Sequence, residues 1–437
     1  MTALHATDGP RLDGLLHPDF YPVANVLRDQ LRRYSGGAAV CVYHRGECVV
    51  DIWGGFRDAV GTPWARDTMA PSFSTTKGVA STLVHVMVDR GLLDYDERVA
   101  KYWPEFAQAG KHGITLRQVL AHQSGLYHIR QMVDHAERML DWDYMVRAIE
   151  RTPPIHKPGT RTGYHGLTYG FLVGEILKRV TGRSFSQLVQ DEIAAPLGLD
   201  GMYVGAPAEA LGRAAQLMWP ARRLFAANLP LAPTGGLRGA IFFQAAAGIE
   251  GALRLAGVHI DVKSILDALA PRGISAFDFG ADATLRAAIP AANGLFTARA
   301  LARLYAALAN GGEIDGVRLL SQRTLTRATQ VQNPARRQVV VPFDMRWRLG
   351  YHGVATTRGV PRRAFGHFGF GGSGAWADPR RNLAVALIVN SGLGTPFGDL
   401  RIWRVSGTVL GCADQRGPRV PRANRNWQQA LTELVIR

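Results

Sequence analysis

Ser74 stands three residues before Lys77 in PSFSTTK (71–77), at the polar start of an apolar stretch. Residues three apart share a helix face, with Cβ atoms about 5–6 Å apart, so the amine can reach the hydroxyl within one turn. The chain has six lysines, at 77, 101, 111, 157, 178 and 263, and only Lys77 has a serine at that spacing. Two chemistries fit. Ser74 can cap the free N–H groups of a helix, typically worth about 1 kcal/mol, a job open to Thr75 or Thr76 as well. Or Ser74 is a nucleophile and Lys77 its base. The second reading needs a lysine titrating about three units below its usual 10.4, roughly 4 kcal/mol of environmental bias. Burial in a cleft supplies such a bias, and the positive end of a helix favours a developing anion on the serine oxygen. An S-x-x-K tetrapeptide arises by chance in roughly one such chain in three, so it needs partners.

Two stretches offer them. PGTRTGYHGLTYGFLVGEIL (158–177) puts Tyr164 in a Gly-flanked loop directly before a helix, with His165 beside it. FGHFGFGGSGAWADP (365–379) puts His367 at the end of a strand, amid glycines that let backbone approach a ligand. A strand edge there offers a backbone N–H, that of Phe370, as half of an oxyanion hole, the Ser74 N–H being the other half. GFGGSG (369–374) satisfies G-x-G-x-x-G but does not open a helix inside a βαβ unit, so it is not read as a dinucleotide site. There is no G-x-S-x-G, no H-E-x-x-H and no Walker loop. No metal or nucleotide cofactor is implied.

These residues need elements to hold them. Residues 18–35 read as a helix, and GGAAVCVYHRGECVVDIWGG (36–55) as two strands turning at 44–47. A helix follows Ser74 and ends at Gly91. Residues 138–150, 166–195 and 297–312 are further helices. Strands with Gly-rich connections begin near 338, and 397–411 is a late helix before a tail carrying a short one. Residues 1–17 read as a loose arm. Residues 205–285 read as an insertion of mixed helix and loop that covers the cleft and shapes acyl selectivity. So β-rich ends flank a helical middle, and the junction of the two lobes is where a ligand site belongs.

The chain has 437 residues, 47% hydrophobic, with a formal net charge of +16. That balance implies weak attraction to anionic surfaces, not a fold. The nearest basic stretches, 221–239 and 333–338, read as arginine spread over a solvated surface, so no specific nucleic-acid partner is expected. Cys41, Cys48 and Cys412 are too few for a disulfide framework and lack metal-ligand spacing. No signal peptide and no transmembrane run is seen, so a cytoplasmic protein is expected.

The order STTK (74–77), YHG (164–166), HFG (367–369) resembles the serine hydrolases of the class C β-lactamase and penicillin-binding-protein superfamily. GECVVDIWGG, IAAPLGLDGMYVG and NGGEIDGVRLLS resemble its esterase-like branch, which includes the family VIII carboxylesterases. The likeness covers roughly 18–410 apart from about 215–280. It implies an α+β, β-lactamase-like fold, an antiparallel sheet flanked by helices with an inserted all-helical lobe. The sheet lobe would comprise 18–74 and 335–437, and the helical lobe 75–334. It implies Ser74 as acylated nucleophile, Lys77 as its base and Tyr164 as second proton relay. His367, Gly369, Phe370 and His165 would line the substrate and oxyanion site. The family motif often reads Y-x-N where this chain has Gly166, and K-T-G where it has His367, and both departures lean toward neutral esters. The expected activity is cofactor-free cleavage of small carboxylic esters with short to medium acyl chains, through an acyl-enzyme. The alternatives are a β-lactamase or D-amino-acid peptidase, acyl transfer from the same acyl-enzyme, or a weak scaffold whose basic surface binds an anionic partner. Oligomeric state is not legible.

Overall fold

A computed structural model describes residues 10–218, 261–332, 338–341, 343–391, 394–395 and 398–416. The strands are β1 Leu12–Leu16, β2 Gly37–His44, β3 Glu47–Gly55, β4 Ala70–Pro71, β5 Met202–Tyr203, β6 Leu295–Phe296, β7 Glu313–Ile314, β8 Val317–Arg318, β9 His352–Gly353, β10 Phe365–Phe368, β11 Gly374–Asp378 and β12 Leu383–Val389. Helices of eight or more residues among those described are α1 Tyr21–Arg33, α2 Thr76–Asp89, α3 Trp142–Arg151, α4 Thr168–Thr181, α5 Val262–Leu269, α6 Ala298–Ala309 and α7 Leu400–Gln415.

Seven strands form one antiparallel sheet in the order β1-β3-β2-β12-β11-β10-β9. Both chain ends therefore feed one sheet. β2 and β3 meet at Arg45 and Gly46, with φ of 56° and 78°, the left-handed pair that matches the twist of a tight hairpin. β12, LAVALIV, is buried along its whole length, because a strand covered on both faces shows no alternation. One face of the sheet packs under α1 and α7, with Val40, Val385, Leu387 and Ile402 in its core. The other face packs on α6 and continues into the helical lobe through α2 and α4. Short accessory sheets, β4-β6-β5 and β7-β8, lie outside the main one.

Two boundaries differ from expectation. Residues 12–16 are not part of a loose arm. They form the edge strand, Leu12 opposite Gly54 and Leu16 opposite Val50. Gly14 interrupts the hydrophobic pattern because a Cβ there would fall 2.0 Å from the Asp51 carbonyl oxygen, so the strand lacks the alternation that announces one. And α6, assigned to the helical lobe, lies on the sheet. Its periodicity specified a helix but not the layer it covers. The Arg-rich stretch 221–239, residues 333–337 and the tail after 416 lie outside the described residues. No helix among those described is long and apolar enough to cross a membrane.

α2 is buried almost all round, being wedged between sheet and helical lobe. Its polar side chains are satisfied there: Ser81 bonds Tyr169 at 2.7 Å, Thr82 bonds Tyr351 at 2.7 Å, and His85 bonds the Leu349 carbonyl at 3.0 Å. Gly78 is required, since a Cβ there would come within 2.1 Å of the Tyr305 hydroxyl. The helix that begins with the S-x-x-K sequence is thus fixed from every side.

Candidate active site

Phe73 sets the serine. It is an aromatic residue at φ 45°, a costly conformation for a bulky side chain that persists only when its surroundings impose it. Here Ser72 N–H donates to the Gly294 carbonyl at 2.8 Å. The Thr76 hydroxyl donates to the Phe73 carbonyl at 2.5 Å and accepts from Gly294 N–H at 2.9 Å. The Phe73 ring is wedged between Phe279 and Phe370, centroids 5.2 and 5.7 Å away. This elbow turns Ser74 out of the helix start. The Ser74 side chain does not cap: Thr75 is the N-cap residue, and its own hydroxyl is buried without a hydrogen bond.

Lys77 is fully buried. Its Nζ lies 2.6 Å from the Gly166 carbonyl, 2.9 Å from the Ala291 carbonyl and 3.0 Å from Ser74 Oγ. No carboxylate is among these partners, and burial holds its pKa well below the usual lysine value. A neutral amine has two N–H groups and one lone pair. The two carbonyls take the two N–H groups, which leaves the lone pair for the Ser74 hydroxyl proton. Tyr164 Oη lies 2.8 Å from the same serine oxygen. Burial pushes its pKa above the usual tyrosine value, so it is a phenol that donates to Ser74. Its ring stacks on Trp347, 5.4 Å apart and 15° between planes, and lies 5.1 Å from His122.

His367 is buried on β10 beside Tyr164, 6.3 Å between centroids. Burial, with His352 and Lys77 nearby, holds it neutral. Nδ1 faces the Phe368 carbonyl at 3.0 Å and must carry the proton, so Nε2 is an acceptor, unpartnered among the described residues. His367 thus brings a neutral acceptor, not a positive charge, beside Tyr164. His352, which sequence reasoning missed, accepts from Phe368 N–H at 2.9 Å and so fixes the strand end. Neither the Ser74 nor the Phe370 amide makes a hydrogen bond among the described residues.

Two expected site residues do something else. His165 points away from the serine. Its nitrogens are used by the Ser124 hydroxyl at 2.6 Å, Leu126 N–H at 3.3 Å and the Gly163 carbonyl at 2.7 Å. Gly166 N–H bonds the Tyr164 carbonyl at 3.0 Å, closing a tight turn around His165. Gly369 spends its N–H on the Ser373 carbonyl at 2.7 Å, and a Cβ there would fall 2.3 Å from the Ser72 carbonyl. It is a spacer between β10 and the elbow. Besides His352, sequence reasoning missed Trp347, Ala291 and Phe279. Nothing short-range ties them to the motifs, since each arrives from a different part of the chain.

A fold of two lobes with serine, lysine and tyrosine at their junction has counterparts. The Beta-lactamase family matches residues 23–408, and the chain belongs to it. It is a serine hydrolase. The chain is 37% identical over 407 residues to "Esterase/beta-lactamase LipL" of Mycobacterium tuberculosis, covering 89% of this chain and 86% of that one. It resembles the crystal structure of a penicillin-binding-protein homologue from Caulobacter crescentus with a TM-score of 0.76 and 34% identity, covering 92% and 99% of the two chains. It also resembles that of a family VIII carboxylesterase, with a TM-score of 0.75, 32% identity and the same coverage.

Proposed function

We propose that the chain hydrolyses small, neutral carboxylic esters through an acyl-enzyme on Ser74. The observation that carries this reading is the Lys77 amine, buried, without a carboxylate partner and held by two carbonyls with its third direction toward Ser74 Oγ. Ser74 Oγ attacks the acyl carbon while its proton passes to Lys77. The oxyanion is held by the Ser74 and Phe370 amides. As the C–O bond to the leaving group breaks, Tyr164 protonates the alkoxide and is refilled from the Lys77 ammonium. Water then adds to the acyl carbon, gives one proton back through the same pair, and Ser74 leaves as the hydroxyl.

Esters are favoured over β-lactams and D-peptides by what borders the serine. Phe73, Phe279 and Phe370 make an apolar wall. Gly166 lies under α5, where a Cβ would fall 2.2 Å from Leu269 Cδ2. His367 offers an acceptor rather than a positive charge. The names of LipL and of the carboxylesterase structure support the same reading. The test is hydrolysis of p-nitrophenyl acetate, butyrate and octanoate beside nitrocefin. Ester turnover that disappears in Ser74→Ala and exceeds nitrocefin turnover is expected. Nitrocefin turnover equal to ester turnover would move the reading to a β-lactamase.

A further inference from the structure

At the end of the sheet away from Ser74 lies a cavity of about 550 Å³. It is built where the chain enters β10, where β11 ends and where α7 ends. Five arginines line it, Arg358, Arg362, Arg363, Arg380 and Arg381, against two aspartates, Asp378 and Asp414. Both aspartates are already occupied. Arg381 donates to Asp414 at 2.7 and 3.1 Å and to Asp378 at 2.7 Å. Asp378 is 1% exposed, so its pairing with Arg381 is a buried floor, whereas Asp414 meets Arg381 at the solvent-exposed side. The other four arginines are exposed and make no side-chain hydrogen bond or ion pair among the described residues. Other described arginines, Arg66, Arg147 and Arg323 among them, also lack such a partner; what sets these four apart is that they gather around one concavity.

Arg358 and Arg380 feel Asp414 at longer range, but five arginines against two aspartates leave the concavity net positive, and an anion between the guanidinium groups would relieve their repulsion. A guanidinium fork matches a phosphate by paired N–H···O bonds, and phosphate accepts from several forks at once. We propose that this pocket binds a phosphate-bearing ligand, separate from the ester site. His367 and Phe368 lie at the opposite end of β10, about 10 Å further along at the usual rise per residue. The ligand therefore does not enter the reaction. It positions the enzyme or tunes it. Free phosphomonoesters and the phosphate headgroups of a lipid surface share this chemistry.

The test uses the full chain and the double variant Arg362→Ala/Arg363→Ala, with Arg380→Ala as a second variant, all at exposed positions. Titration calorimetry with inorganic phosphate and with glycerol 3-phosphate, at ionic strength matched with sodium chloride, reads the free ligand. Flotation with phosphatidylcholine vesicles, with and without phosphatidic acid, reads the surface. Saturable binding of either phosphate compound, lost in the variants while hydrolysis of p-nitrophenyl butyrate is unchanged, is the expected result. Binding only to phosphatidic acid vesicles, again lost in the variants, supports the site and assigns it to a lipid headgroup. Heats no larger than those of chloride together with no vesicle binding, or binding that survives both variants, overturns the proposal.

Discussion

At the scale of single residues one amine, that of Lys77, decides the proposed chemistry. Lys77→Met removes the base while keeping most of the volume, and a loss of about 10²–10⁴ in kcat is expected. The same substitution should stabilise the protein. In the native state burial keeps Lys77 neutral, whereas in the unfolded chain it is protonated up to its usual 10.5. Below that pH the unfolded state binds one more proton, which favours unfolding. Lys77→Met lifts this penalty, so its gain in melting temperature should be clear at pH 7 and shrink toward pH 10.5. An equal gain at both values would mean the amine is not neutral. Tyr164→Phe keeps the ring on Trp347 and loses the proton donor, and should cost about 10²–10⁴ in kcat with little change in melting temperature. The Ser74–Lys77 spacing was legible in the sequence, and Tyr164 joined it through the motif order and the resemblance that order carries; the structure brings the three side chains together. The tautomers of His352 and His367 were not, since a partner carbonyl on the residue's own strand decides them.

At the scale of elements the geometry around Ser74 and Lys77 depends on loops held by glycine. Gly166 offers its carbonyl to Lys77 while α5 presses on its Cα, with the Ala268 carbonyl 2.8 Å and Leu269 Cδ2 2.2 Å from any added Cβ. Gly166→Ala should push α5 away and tilt that carbonyl. A stability loss of about 1–3 kcal/mol is expected, with a fall in kcat at unchanged fold. Leu269→Ala in the same chain opens space beside position 166 and should restore part of both. Urea midpoints and kinetics of the single and double variants read this coupling. Failure of Leu269→Ala to restore anything would separate α5 from the site. The helices α1, α2, α4, α6 and α7 were legible from their periodicity and end signals. The edge strand β1 was not, because a glycine at its centre erased the alternation. Nor was the place of α6, because a helix's apolar stripe does not name its partner.

At the scale of the whole molecule, buried histidines set the response to acid. Burial lowers His85 and His165 to about 3 and His44, His128 and His352 to about 4, and holds His122 and His367 well below the usual value. As pH falls through 6.5 the unfolded chain takes up protons that the native state refuses, so native stability is full above 6.5 and falls as the pH drops to about 4. Each such histidine contributes about 1.4 kcal/mol per pH unit inside that window. Urea midpoints at pH 7.5, 6 and 5 should therefore drop with increasing steepness, and a flat profile would mean that several of these rings are solvated. Composition showed that the chain could bury a large core. It could not show that so many histidines would lie inside it, since burial is decided by the packing of distant segments.

The central claim is that Ser74 is a nucleophile activated by a neutral Lys77. The most direct measurement is the intact mass and modified peptide after stoichiometric treatment with a p-nitrophenyl alkylphosphonate at pH 7, with Lys77→Met in parallel. One phosphonyl group on Ser74 is expected, added far more slowly in Lys77→Met. Modification at another residue, or at the same rate without Lys77, would contradict it.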